Sequence, residues 1–245
     1  MPQFSQAPSA RLPVVVDGDT FYKTDWMDGR NSAQSETLAP SAYLVEQLPG
    51  VSLRTHFHRS NQFQLFVRGS GTIGPHTLSA LTVHYAGAYS GYGPLVAGPD
   101  GLAYFTLRAV YEIGSLTMKE NASEMRRGPK RQMTSQPVVV ADETQLSCVK
   151  SAQSNELIAP QSDGIAARMW TLPAGTALVS GLDPSGAVGW FVLVLAGKLL
   201  VADRTLHVWD QVFVAAGEQE PRLVAGDGGA QLVCLQLPHI DPAYL

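Results

Sequence analysis

The sequence predicts an all-β protein made of two like halves, each a sandwich or closed barrel. Three observations carry that reading. Four segments of the first half recur in order in the second, short β-branched or aromatic runs alternate with Gly and Pro turns, and no stretch keeps an apolar stripe at helical spacing. The 245 residues leave room for two domains of roughly 100–120 residues each.

The repetition starts at Pro13-Val14-Val15-Val16-Asp17-Gly18-Asp19-Thr20, which returns as Pro137-Val138-Val139-Val140-Ala141-Asp142-Glu143-Thr144. Glu36-Thr37-Leu38-Ala39-Pro40 returns as Glu156-Leu157-Ile158-Ala159-Pro160, and Leu48-Pro49-Gly50 as Leu172-Pro173-Ala174-Gly175 with one residue inserted. Finally Gln62 to Gly69 aligns with Trp190 to Gly197. The halves are expected as a first barrel over 1–120 and a second over 137–245. Between them, 121–136 carries Arg126, Arg127, Lys130 and Arg131 around Gly128-Pro129 and reads as a solvated linker.

Within the first half the expected strands include Ser52 to His58, Phe63 to Arg68, Leu81 to Tyr85 and Leu102 to Val110. The second half repeats the rhythm at Ala166 to Leu172, Phe191 to Leu195, Val208 to Ala215 and Ala230 to Leu237. Helix is expected only as short turns.

Composition narrows the function. Hydrophobic residues make up 45% and charged residues 16%, enough apolar surface for a sizeable core. A formal net charge of −4 offers no basic field, so neither nucleic acid nor an anionic membrane is the expected partner, and a small molecule is. Cys148 and Cys234 lie in no zinc-ligand spacing and read as buried thiols in strands. Met1 to Leu12 lacks a charged segment followed by an apolar one, and no apolar run reaches membrane-spanning length, so a cytoplasmic protein is expected.

One stretch carries chemistry. Gly50 is followed after five residues by His56-Phe57-His58, then after three more by Gln62, then after six by Gly69. Residues two apart on a strand face one side, so the two imidazoles should project together and reach a single cation. This stretch resembles the first motif of the cupin superfamily: a glycine, His-x-His, an acidic residue and a second glycine at this spacing. Gln62 stands where that family usually has glutamate. The resemblance implies a double-stranded β-helix (jelly-roll) barrel, and the duplication implies a bicupin.

It also implies a divalent transition metal held by His56, His58 and Gln62; nitrogen and oxygen donors suit iron, manganese, nickel or zinc alike. The family's second motif would add a histidine from across the barrel. Here that slot holds Gly91, and either His84, in the preceding strand, or His76, in a turn, is left to complete the set; a strand residue is the better placed to face the lumen, which favours His84. In the second half the positions of His56, His58 and Gln62 become Gly181, Asp183 and Trp190, so that barrel is expected to hold no metal, with His207 exposed or structural.

Alternation from His56 and Gln62 puts Arg54 and Gln64 on the same face, as candidates for binding a substrate. Tyr92, in the loop Gly91-Tyr92-Gly93-Pro94, is the candidate catalytic residue, a general base if a nearby cation lowers its pKa. Three functions stay open: a metal-dependent dioxygenase acting on a small organic molecule, a metal-assisted lyase or isomerase using Tyr92, and a non-catalytic small-ligand-binding protein. A homodimer is expected, since edge strands and the N-terminal arm invite exchange between chains.

Overall fold

The structure is a computed structural model that describes residues 1–31, 38–183 and 185–245. Of the repeated segments, Glu36 and Thr37 lie outside the described residues. The chain forms two compact units, Ala7–Val138 with Ile240–Leu245, and Val139–His239 with Met1–Gln6.

Among the described residues the first unit is built on one antiparallel sheet, in the order Gln132–Thr134, Thr82–Ala86, Gln62–Ile73, Leu95–Arg108, Ser41–Gln47, Asp19–Met27 and Leu12–Val16. His56–Phe57 pairs separately with Leu116–Thr117. In the second unit the order is Gln3–Phe4, Gln211–Ala215, Ala187–Val201, Val224–Pro238, Ala166–Leu172 and Gln153–Ile158. The two orders match: a long central strand lies between a short strand and a second long one. Each unit's edge strand comes from the segment preceding the other barrel in sequence.

Two expectations change here. Residues 121–136 are not a free linker, because Gln132–Thr134 pairs with Thr82–Ala86 as part of the first sheet. Cys148 is exposed at the end of the short helix Glu143–Ser147, and only Cys234 is a buried strand thiol. Among the described residues no helix is long and apolar enough to cross a membrane.

The first repeated segment also diverges in shape. Asp17 and Gly18 adopt positive φ (56° and 90°), closing a tight hairpin between Leu12–Val16 and Asp19–Met27. In the second copy Asp142 accepts a hydrogen bond from Gln145 N and Gln145 returns one from Asp142 N, a capping box that starts a helix instead. Similar residues thus take different local structures because the turn residues after them differ.

The glycines of the motif frame are alike in both barrels. Gly50 and Gly175 both have positive φ with open space around the missing side chain, whereas a Cβ on Gly69 would lie 2.1 Å from the Gly101 carbonyl oxygen and one on Gly197 2.2 Å from that of Gly229. Gly69→Ala and Gly197→Ala are each expected to cost about 3 kcal/mol, combining left-handed strain with a forced backbone shift. Gly50→Ala should cost only about 1 kcal/mol, the left-handed penalty alone. Denaturant unfolding of the three variants checks the order.

Candidate functional site

The lumen of the first barrel holds a cavity of about 230 Å³. Its mouth carries the exposed apolar side chains Val14 and Ile113, and its floor is polar, formed by His56, His58, Gln64, Tyr92, Thr106 and Arg108.

Strand alternation builds the floor. On Leu95–Arg108 the side chains of Tyr104, Thr106 and Arg108 face the cavity. Thr106 pairs with Gln64, and Gln64 with His84 on the other side. One step beyond the pair Leu107↔Phe63, Arg108 comes opposite Gln62. His56 forms an isolated antiparallel bridge with Tyr92, its N–H donating to Tyr92 O (3.1 Å) and Tyr92 N–H donating back (2.9 Å). This bridge brings the loop tyrosine against the motif histidine. Phe57, between the histidines, turns the other way to pack with Tyr89 and Tyr244.

The sequence did not single out Arg108. It is 1% exposed, and among the described residues it makes no ion pair. Nε and Nη2 donate to Gln62 Oε1 (2.9 and 2.7 Å), Nη2 also lies 3.0 Å from the His58 ring nitrogens, and Nη1 donates to Glu112 O at 3.3 Å. The guanidinium lies 5.8 Å from the Tyr43 ring centre, within cation–π reach. Its signal in the sequence was an arginine in register with Tyr104 and Thr106 at the end of the mostly apolar run Leu102 to Leu107; arginine is rarely fully buried without a partner.

The direction of every hydrogen bond follows from chemistry. An arginine only donates, so Gln62 Oε1 must accept. That leaves Gln62 Nε2 facing Tyr92 Oη (2.5 Å), where it can only donate. The Tyr92 hydroxyl keeps its own proton for His56 Nε2 (2.8 Å), and His56 Nδ1 places its proton on the Arg54 carbonyl at 2.7 Å. Arg108, Gln62, Tyr92 and His56 therefore form one polarised chain.

Charges fit this arrangement. Burial, with the Arg108 charge adding to it, pushes His58 down to about 3, and burial pushes His56 down to about 4, so both rings are neutral at pH 7. Burial works against the charge of Glu112, but the neighbouring His58 ring and donors from Arg59 N (2.9 Å) and Ser60 Oγ (2.6 Å) outweigh it, and the carboxyl titrates below its ordinary range. Burial raises the Tyr92 pKa despite the nearby Arg108 charge, the direction opposite to what a tyrosine base needs.

The other candidate residues divide. Gln64 is buried and lines the cavity. Arg54 does not: it is exposed and paired with Asp17 and Glu120. Strand pairing stops between Ser52–Leu53 and His56–Phe57, and the alternation expected through Arg54 is lost there. His84 is buried, with Nδ1 2.9 Å from Thr134 Oγ1 and Nε2 without a hydrogen-bond partner among the described residues. At Gly91 a Cβ would lie 2.9 Å from Met118 Sδ, so no larger side chain fits the second-motif slot without displacing that methionine.

With Arg108 in this position the set does not fit a divalent metal. The lone pairs of Gln62 Oε1 and His56 Nε2 are engaged, and among the described residues no group of three His, Cys, Asp or Glu side chains could hold a metal. A dication about 4 Å from the guanidinium would meet a repulsion on the order of 8 kcal/mol at an effective dielectric of about 20.

In the second barrel the register places Trp190 opposite Gln236 and Val192 opposite Cys234, where the first has Gln62 with Arg108 and Gln64 with Thr106. Trp190, Val192, Val194, Leu232 and Cys234 fill that interior as an apolar cluster. Asp183 is exposed, its carboxylate accepting from Ser185 N at 2.9 Å, and His207 is exposed.

No protein-family model and no curated protein sequence matches the chain. Solved structures do. A bacterial pirin, YhhW of Escherichia coli in complex with nickel(II), matches at 12% identity with a TM-score of 0.59, covering 97% of this chain and 99% of that one. A variant of oxalate decarboxylase from Bacillus subtilis, a bicupin, matches at 12% identity with a TM-score of 0.58, covering 96% of this chain and 77% of that one. The chain has the cupin fold in its two-barrel form.

The neutral buried histidines set a pH dependence. A histidine whose folded pKa is depressed binds fewer protons folded than unfolded, so its stabilising share is full above about 6.5 and lost as pH falls toward the folded value. His56 and His58, at about 4 and 3, with His84 also pushed by burial to about 3, make the unfolding midpoint fall steadily between pH 6.5 and 4.5. The double variant His56→Gln/His58→Gln should flatten that slope in melting curves across the window.

Proposed function

We propose that this bicupin binds a small organic acid in the lumen of its first barrel, with Arg108 as the group that meets the carboxylate. The observation that carries this reading is a fully buried guanidinium on the cavity floor without an ion-pair partner among the described residues. Four of its five N–H donors have acceptors there, leaving one on Nη1 for a ligand oxygen. Burying a charge without a partner is costly, and an anionic ligand offsets that cost in the bound state. The cavity, about 230 Å³, lies below the usual range of roughly 300–1,000 Å³ for drug-sized ligands, which favours a small acid with an apolar end against the Val14 and Ile113 rim.

A second reading is the metal-dependent dioxygenase. Its support is the grouping of His56, His58 and Gln62, with ring centres of the two histidines 5.3 Å apart, and the metal held by cupin neighbours such as the nickel-bound pirin. It needs Arg108 to leave the donor set. The lyase or isomerase reading needs Tyr92 ionised, against the direction of its pKa.

Calorimetric titration with small monocarboxylates and their matched amides tests the carboxylate reading. Carboxylates should bind at least tenfold more tightly than the amides, about 1.4 kcal/mol, and Arg108→Gln should remove the difference. Equal binding of acid and amide defeats the reading, and oxygen uptake on adding an acid together with iron(II) favours the dioxygenase.

The chain is also proposed to pair with a second copy. The edge strand Leu12–Val16 leaves Leu12 58% and Val15 69% exposed, whereas Gln3–Phe4 of the N-terminal arm is already paired within the chain, which removes one reason for exchange. Light scattering at micromolar concentration should give the dimer mass; a monomer mass ends this proposal.

A further inference from the structure

We infer that Arg108 takes the place of the metal in this barrel, as a covalently built-in cation around which the motif residues are organised. The inference goes beyond the carboxylate reading and needs no ligand. Three independent observations lead to it.

The first is occupancy of the donor atoms. The guanidinium takes Gln62 Oε1 with two N–H donors and faces the bare nitrogen of His58, while the Tyr92 proton takes His56 Nε2. In His56, His58 and Gln62, each atom that would ligate a metal already accepts a proton donor fixed in the chain. The glutamine is itself part of the device. A glutamate here would pair with Arg108 and cancel its charge, whereas the neutral amide orients the guanidinium and leaves it cationic.

The second is what stands in the remaining slot. Gly91 stands there, with Met118 Sδ 2.9 Å from where its Cβ would be, so that slot offers no side chain to a metal sphere. His84, held by Thr134 through Nδ1, keeps Nε2 without a hydrogen-bond partner, but among the described residues no group of three His, Cys, Asp or Glu side chains could hold a metal, so it completes no set with the other two histidines.

The third is the other half of the same chain. Where Gln62 faces Arg108 in the first barrel, Trp190 faces Gln236 in the second, and the interior around them is apolar. The cation, its amide partner and the two histidines are all missing together, as expected if they serve one purpose.

Metal uptake by the intact chain tests this. Wild type, Arg108→Met and Arg108→Met/His58→Ala are incubated with nickel(II), zinc(II) or manganese(II), desalted, and assayed for metal per chain. Wild type should retain less than about a tenth of an equivalent. Arg108→Met, freed of the guanidinium, should retain several times more, and the added His58→Ala should remove that gain. Near-stoichiometric metal in wild type that is lost on His58→Ala overturns the inference, as does a folded Arg108→Met that binds no more than wild type. Should Arg108→Met fail to fold, the wild-type content and its loss or persistence in His58→Ala decide the matter alone. Because no organic acid is present, this result and the carboxylate result can fail separately.

Discussion

A guanidinium removed from water has to be met by acceptors, and in the first barrel the amide oxygen of Gln62 meets it twice. That contact orders the site. It turns the amide nitrogen toward Tyr92, so the phenol must pass its proton on to His56, and the imidazole proton is left for the backbone at Arg54. Four side chains from three separated stretches of sequence are thereby held in one protonation pattern. The same cation and the same burial keep His58 neutral. Loss of Gln62 would leave the arginine short of acceptors, and loss of the arginine would leave the amide free to rotate.

The duplicated halves show how the frame and the chemistry separate. The glycines that close the frame keep their geometry in both barrels, because their Cβ positions are taken by backbone or their φ is left-handed. Such constraints belong to the path of the chain and do not depend on what fills the interior. The lumen residues have no such constraint. In the second barrel they became Trp, Val, Leu and Cys, and the space filled with apolar side chains. An interior that packs this way has a stable core without a site. The first barrel accepts buried polar groups around its lumen, and with them atoms such as His84 Nε2 and Gln64 Oε1 that have no hydrogen-bond partner among the described residues, at a cost in stability.

Much of this was legible in the sequence. The all-β class came from strand-length runs punctuated by Gly and Pro, and the cupin resemblance from the glycine-framed His-x-His. The burial of His56, His58 and Gln62 followed from alternation, which depends only on local geometry. Where alternation was extended too far it failed: between Leu53 and His56 the pairing lapses, and Arg54 turns out to Asp17. Local pattern cannot report such a break, since it depends on what the neighbouring strand offers.

What the amino-acid order determined by itself was which residues of a strand share a face, because side-chain direction alternates along the chain wherever the strand is paired. Which of them meet was decided only by the tertiary structure. Arg108 lies 46 residues from Gln62 and 50 from His58, on a strand whose register with Gln62–Ile73 is set by hydrogen bonds and bulges across the sheet. A shift of one residue in that register would have turned the arginine to the other face. Pairing between distant strands therefore brought a cation into the middle of the His-x-His motif, and no spacing within the motif could have announced it.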